Sequence, residues 1–283
     1  MVLESILNPI KAEDSPWNLF FYGMVFTSIA IPMSYWIFET HASLVMVFLT
    51  VFAALPLMYK TLKYEEKQDL VSNDEISLLR QHSKALASFM FFFIGMTLSF
   101  SVWYILLPES ITQSIFNVQT HTILNINNNI SGHSLQQVKL FGRIFFNNVK
   151  VLTFCLLFSF LYGSGAIFIL TWNASVIGTA IGNFVRSNLA SIANVVGWPK
   201  VGMYLHIISL GLLKYTLHGI PEILAYFIGG MAGGIISVAV IRHDFGTTRF
   251  EKIVLDSSDL IVISVALLLI AALIEVYVTP VIF

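Results

Sequence analysis

Residues 260–278 read LIVISVALLLIAALIEVYV, nineteen positions with a single charge, Glu275. A helix needs about 20 mostly apolar residues to cross a bilayer. This stretch meets that length, and soluble helices rarely stay apolar on every face for so long. Working outward, the same signature recurs in 17–38, 44–59, 85–107, 149–172, 201–217 and 221–241. The expected fold is therefore all-α, a polytopic transmembrane helix bundle of about seven spans, within a range of six to eight.

Composition agrees with that reading. Hydrophobic residues make up 57% of the 283 positions and charged residues 11%, against about 45–50% and about 25% in soluble domains. A soluble fold could not cover so much apolar surface with so few charges, whereas lipid removes the need to cover it. The net charge of −1 supplies no basic field for nucleic acid. Cys155 is the only cysteine and sits in an apolar run, so neither an intrachain disulfide nor a CxxC metal site is expected. Charges before Trp17 and the lack of a small-residue cleavage pattern favour a retained first span over a signal peptide.

Two regions divide the chain: 1–84, two spans and a polar connector, and 85–283, a membrane domain with an outer loop near 109–147. Segment 173–198 mixes apolar residues with Gly178, Gly182, Arg186 and several Asn and Ser. It is read as re-entrant, since irregular backbone is tolerated at membrane depth only where protein or water covers it. A tight turn at His218–Gly219 is expected between two spans, with Pro221 opening the second and Glu222 in its first turn.

With the N-terminus in the cytoplasm, eleven Lys and Arg fall inside, Arg186 and Lys200 among them, and four outside, Lys139, Arg143, Lys150 and Lys214. This bias sets the N-terminus cytoplasmic and the C-terminus extracytoplasmic in the plasma membrane. The outer loop holds Asn129–Ile130–Ser131, an acceptor pattern for glycosylation at Asn129.

An ionisable group at membrane depth costs at least about 2.5–3.5 kcal/mol, so each one needs a reason. Glu275 is the clearest case. By topology, Asn148, His218, Glu222 and Glu275 share the outer half of the membrane and form a polar cluster that is either functional or a structural lock. One His and two Glu could fill three zinc positions. The chain has no HExxH and no exposed cysteine nucleophile, so no catalytic residues, metal or cofactor are expected and an enzyme is disfavoured. Gly229, Gly230, Gly233 and Gly234 make overlapping G-x-x-x-G patterns, which serve either close packing inside the bundle or a homo-oligomer face.

Several motifs then fall in order: Phe146–Asn147–Asn148–Val149–Lys150–Val151, Gly163–Ser164–Gly165, Asn173–Ala174–Ser175–Val176–Ile177–Gly178, His218–Gly219–Ile220–Pro221–Glu222, and 271–280 with Glu275, Thr279 and Pro280. This set resembles the stage II sporulation protein M family over residues 85–283. Leu217 stands where the family has proline, and Ala174 follows Asn173 where it has glycine. The resemblance marks Asn148, Asn173, Gly178, His218, Gly219, Glu222, Glu275, Thr279 and Pro280 as motif residues. It implies a polytopic component of a membrane complex that remodels peptidoglycan in spore formers, and a different setting in organisms without spores. The expected role is a non-enzymatic membrane scaffold or assembly component with membrane or extracytoplasmic protein partners. The alternative is a proton- or cation-coupled transporter or channel, and an intramembrane metallohydrolase comes last.

Overall fold

In a computed structural model the chain is described over residues 16–71, 75–127, 134–162, 165–192, 198–241 and 246–282. Every regular element there is helical. Helix α1 covers Pro16–Phe38. A single 3-10 turn, Glu39–His41, folds the chain back into α2, Ala42–Val71. Helix α3, Glu75–Leu106, returns alongside α1. Two short helices, α4 (Glu109–Ile115) and α5 (Asn117–Asn127), cross the end of the bundle. Four long helices follow: α6 Ser134–Tyr162, α7 Ala166–Ser191, α8 Trp198–Ile241 and α9 Thr248–Leu273. A π-helical turn, Ile274–Val278, leads into α10, Thr279–Ile282.

Six helical runs are long and apolar enough to cross a membrane. The first, Pro16–Thr61, includes the fold at residues 39–41 and so contains both α1 and most of α2. The expected all-α membrane bundle is what the chain forms, within the anticipated range of spans. The divisions between spans differ from the sequence reading in two places. The apolar run 149–172 is broken near Gly165, and its second half joins the presumed re-entrant segment to make α7, one full 26-residue helix. Conversely, the expected turn at His218–Gly219 is absent, and 201–217 and 221–241 are one continuous helix.

Close packing accounts for the first difference. A Cβ at Gly165 would run into the Phe158 carbonyl oxygen, with the Phe158 Cβ 3.0 Å away. The backbones around this bend approach so closely that only glycine fits. At Gly219 the nearest atom to an added Cβ is Ile177 Cδ1 at 4.0 Å, an ordinary contact, so nothing there calls for glycine. Pro221 removes one helical hydrogen bond, the one to the Leu217 carbonyl. Membrane helices tolerate that loss where neighbouring helices and local adjustments compensate.

The glycines of α8 also report helix directions. Added Cβ atoms at Gly211, Gly219 and Gly230 would meet Phe184, Ile177 and Ala166, so α8 runs antiparallel to α7. Gly229 faces Leu152 and Gly233 faces Leu156, so α8 runs parallel to α6. Gly229, Gly230 and Gly233 are thus buried inside the bundle, and this face is not open to a second copy. Between α1 and α3, Gly23 lies against the Phe92 backbone and Gly95 against the Phe20 backbone. Ser28, Ser99 and Trp103 are hydrogen-bonded beside them. Small residues permit this approach where the hydrophobic effect gives no drive between helices. Phe21, Val25, Ile29 and Met33, at intervals of four, are exposed on the far side of α1, the stripe a helix turns towards acyl chains.

The long α7 also moves two charges. Arg186 Nη2 lies 3.0 Å from Glu109 Oε2, and Nη1 donates to the Tyr104 carbonyl and to Thr112 Oγ1, both at 3.2 Å. Arg186 therefore sits at the Glu109 end of the bundle, and Lys200, at the start of α8, lies on that same side. The eleven-to-four count of Lys and Arg between the two sides becomes nine to six. Arg186→Ala removes bonds that hold the last turn of α3 to α4 and should lower stability by about 1–2 kcal/mol. Glu109→Gln should cost under about 1 kcal/mol, because that half of the ion pair is largely exposed. Thermal unfolding of the purified variants checks both. Asn129 falls outside the described residues.

Candidate functional site

Three long helices and the π turn converge on a cavity of about 1000 Å³. Helix α6 contributes Asn147 and Asn148, α7 contributes Asn173, and α8 contributes Lys214, His218, Gly219 and Glu222. Glu275 from the π turn and Thr279 from α10 complete the wall. Towards the Glu109 end the lining passes to Thr122 and Ile123 of α5, and to Leu140 and Arg143 of α6. All four residues of the expected cluster, Asn148, His218, Glu222 and Glu275, therefore line one space.

The continuity of α8 decides how His218 and Glu222 are presented. Residues four apart share a helical face, and without the expected turn both side chains reach the same wall. Lys214 adds a third member one turn earlier. Glu222 is held by the Tyr226 hydroxyl, which donates to its Oε1 at 2.8 Å. Tyr226 is fully buried, so this bond fixes one oxygen of the carboxylate while part of the group faces the cavity. Asn148 approaches the Glu222 carboxyl without reaching hydrogen-bond geometry, and its Nδ2 is buried without a partner. His218 Nδ1 is likewise unpartnered.

Glu275 owes its position to the proline that follows it. Pro280 has no N–H to continue the ladder, and its ring excludes the carbonyl four residues earlier. The helix widens instead: the Thr279 N–H bonds to the Ile274 carbonyl, five residues back. Thr279 Oγ1 donates to the same oxygen at 3.2 Å. Such π turns shift side chains out of α register and recur at functional sites. Here the turn carries Glu275 to the cavity within electrostatic range of Glu222.

The remaining motif residues divide by role. Asn173 lines the cavity, but its amide also donates to the Ile169 carbonyl at 2.8 Å. Gly178 faces away, towards α3, where an added Cβ would lie 2.6 Å from the Phe100 Cβ; its part is packing. Pro280 acts through the turn it imposes. Among the described residues no group of three His, Cys, Asp or Glu side chains is placed to hold a metal ion together. The sequence reading missed Tyr226, although its spacing of four from Glu222 is a signal for the bond. It also missed Arg143 and Lys150 as lining residues; with Asn147 between them they form a polar stripe at helical spacing on α6.

No curated protein and no solved structure matches the chain. The model of the family described as stage II sporulation protein M matches residues 43–280. The match extends further towards the N-terminus than the motifs alone, taking in α2, and it covers every residue lining the cavity. The chain is a multipass membrane protein that belongs to the stage II sporulation protein M family.

Proposed function

We propose that this chain is a non-enzymatic carrier that moves a small polar solute across the membrane, coupled to protons or cations through Glu222 and Glu275. The observation behind this is the cavity, whose lining runs from Thr122 and Arg143 towards the Glu109 end of the bundle to both carboxylates. A hydrogen-bonded lock would be dry and closed, because empty polar space beside buried carboxylates leaves their desolvation cost uncompensated. Here two carboxylates, an imidazole and an amide share an open volume. The N-terminus is assigned to the cytoplasm on the nine-to-six balance of Lys and Arg, which puts the Arg143 end of the cavity towards the outer side.

The test is flux in vesicles. Purified wild type and Glu275→Gln are reconstituted side by side, and proton and Na⁺ movement is followed under an imposed gradient. Wild type should exceed empty vesicles and Glu275→Gln should not. Equal, background-level flux in both overturns the carrier reading.

A membrane scaffold is the second reading, favoured by a different observation. The first turns of α8 extend beyond Arg186 with Trp198 (87% exposed), Val201 and Leu205 (63% exposed) uncovered. Such a surface suits a protein partner in the membrane or at its outer face.

A further inference from the structure

The cavity carries charges of both signs, and they are kept apart. Lys214 stands two turns of α8 before Glu222, about 12 Å along the axis at about 1.5 Å per residue. Its ammonium lies over the rings of Phe184 and Tyr215, at 5.4 and 6.0 Å from their centroids. The ion pair of Arg186 with Glu109 lies outside this wall, and among the described residues none joins a cation of the cavity to a carboxylate. Lys214, Arg143 and Lys150 therefore have no carboxylate partner there, and Glu222 and Glu275 have no cation. Opposite charges placed in one protein to hold it together are normally paired directly, since an uncompensated buried charge is costly. These face a common space instead.

A second observation points to an occupant. Asn148 is only 5% exposed, it lines the cavity, and its Nδ2 has no partner. A buried amide donor left unpaired is costly, a cost removed by an acceptor oxygen entering from the cavity.

We propose that the cavity takes a small molecule bearing both an ammonium group and a phosphate or carboxylate. Its ammonium sits between Glu222 and Glu275, its anionic group at Lys214, and an acceptor oxygen meets Asn148. Arg143, nearer the Glu109 end than Asn148, attracts the anionic end. A free zwitterion and a zwitterionic lipid headgroup share this chemistry. The assignment deepens the carrier reading and rests on it for what becomes of the bound molecule.

Binding to the full chain in uncharged detergent, measured by calorimetry, tests the proposal without a gradient. The probes are phosphoethanolamine, dihexanoyl-phosphatidylethanolamine, ethanolamine and inorganic phosphate. One of the first two should bind at least about tenfold more tightly than either single-charge probe, as expected when two charge-assisted contacts act together. Tight binding of phosphoethanolamine identifies a free solute, and of the lipid alone a headgroup. Lys214→Met should reduce the affinity of the zwitterion to that of ethanolamine, and Glu275→Gln to that of phosphate, with unchanged thermal unfolding showing that both variants are folded. Absence of binding, or equal affinities of all probes for wild type and variants, overturns the proposal. Because no gradient is applied, this binding pattern without flux removes only the carrier reading. Flux without the pattern removes only the ligand assignment.

Discussion

Gly95→Leu should prevent α1 from docking on α3 and lower stability by about 3 kcal/mol or more, the upper end of overpacking costs. The reason is the kind of atom in the way. An added Cβ at Gly95 meets the Phe20 carbonyl oxygen and lies 2.9 Å from its carbonyl carbon, and backbone cannot rotate aside as a flexible side chain can. The reciprocal contact places Gly23 against Phe92 with Met96 N 3.0 Å away, so neither helix can yield without losing the other's fit. The serine and tryptophan bonds between Ser28, Ser99 and Trp103 would part with it. Gly202→Ala supplies the contrast. Nothing lies within 4 Å of its added Cβ, so that change should leave stability level or raise it by about 0.5–1 kcal/mol through reduced chain entropy. Thermal unfolding and size-exclusion profiles of the two variants give the comparison. A Gly95→Leu protein that elutes and melts like wild type would show that the α1–α3 approach is not as close as described.

On the proposed carrier function, the second large effect is on transport. Glu222→Gln keeps the shape of the side chain and leaves an amide oxygen to accept from Tyr226, so stability should change by less than about 1.5 kcal/mol. It removes the charge, and gradient-driven flux should fall to the level of empty vesicles. Tyr226→Phe does the reverse, leaving the carboxyl in place while removing a bond to it. Its flux should stay well above background, while its stability falls by about 1–3 kcal/mol because a buried carboxyl group loses a partner. If Glu222→Gln melted early and Tyr226→Phe abolished flux, the carboxylate would be acting as a structural anchor. The two variants together separate a coupling role from a lock.

Much of this arrangement was legible in the sequence, for physical reasons that can be named. Lipid exposes a helix on all sides, so a run such as 260–278 is unmistakable. Glu275 stands out within it because nothing solvates a carboxylate there. Where the chain turns was harder to read. Hydropathy rises through both Gly163–Gly165 and His218–Gly219, and both contain glycine. Only the packed structure shows that Gly165 is pressed against the Phe158 carbonyl while Gly219 has ordinary room. Moving the break by one helix carried Arg186 from one side of the membrane to the other, where Glu109 receives it. The π turn was hidden for another reason: Thr279–Pro280 reads as a helix end, and its effect on the five preceding residues is a matter of backbone register that composition does not record.

Helix α8 has a mechanical consequence. Its 44 residues make a rod of about 66 Å at about 1.5 Å per residue, more than twice the roughly 30 Å depth of the hydrocarbon. A lean of one degree displaces the far end of such a rod by about 1 Å. The single missing rung in its hydrogen-bond ladder is at Pro221, between His218 and Glu222. Any force applied at the Trp198 end is therefore felt as bending at the cavity wall, so the place where the rod flexes most easily is also where its carboxylate stands.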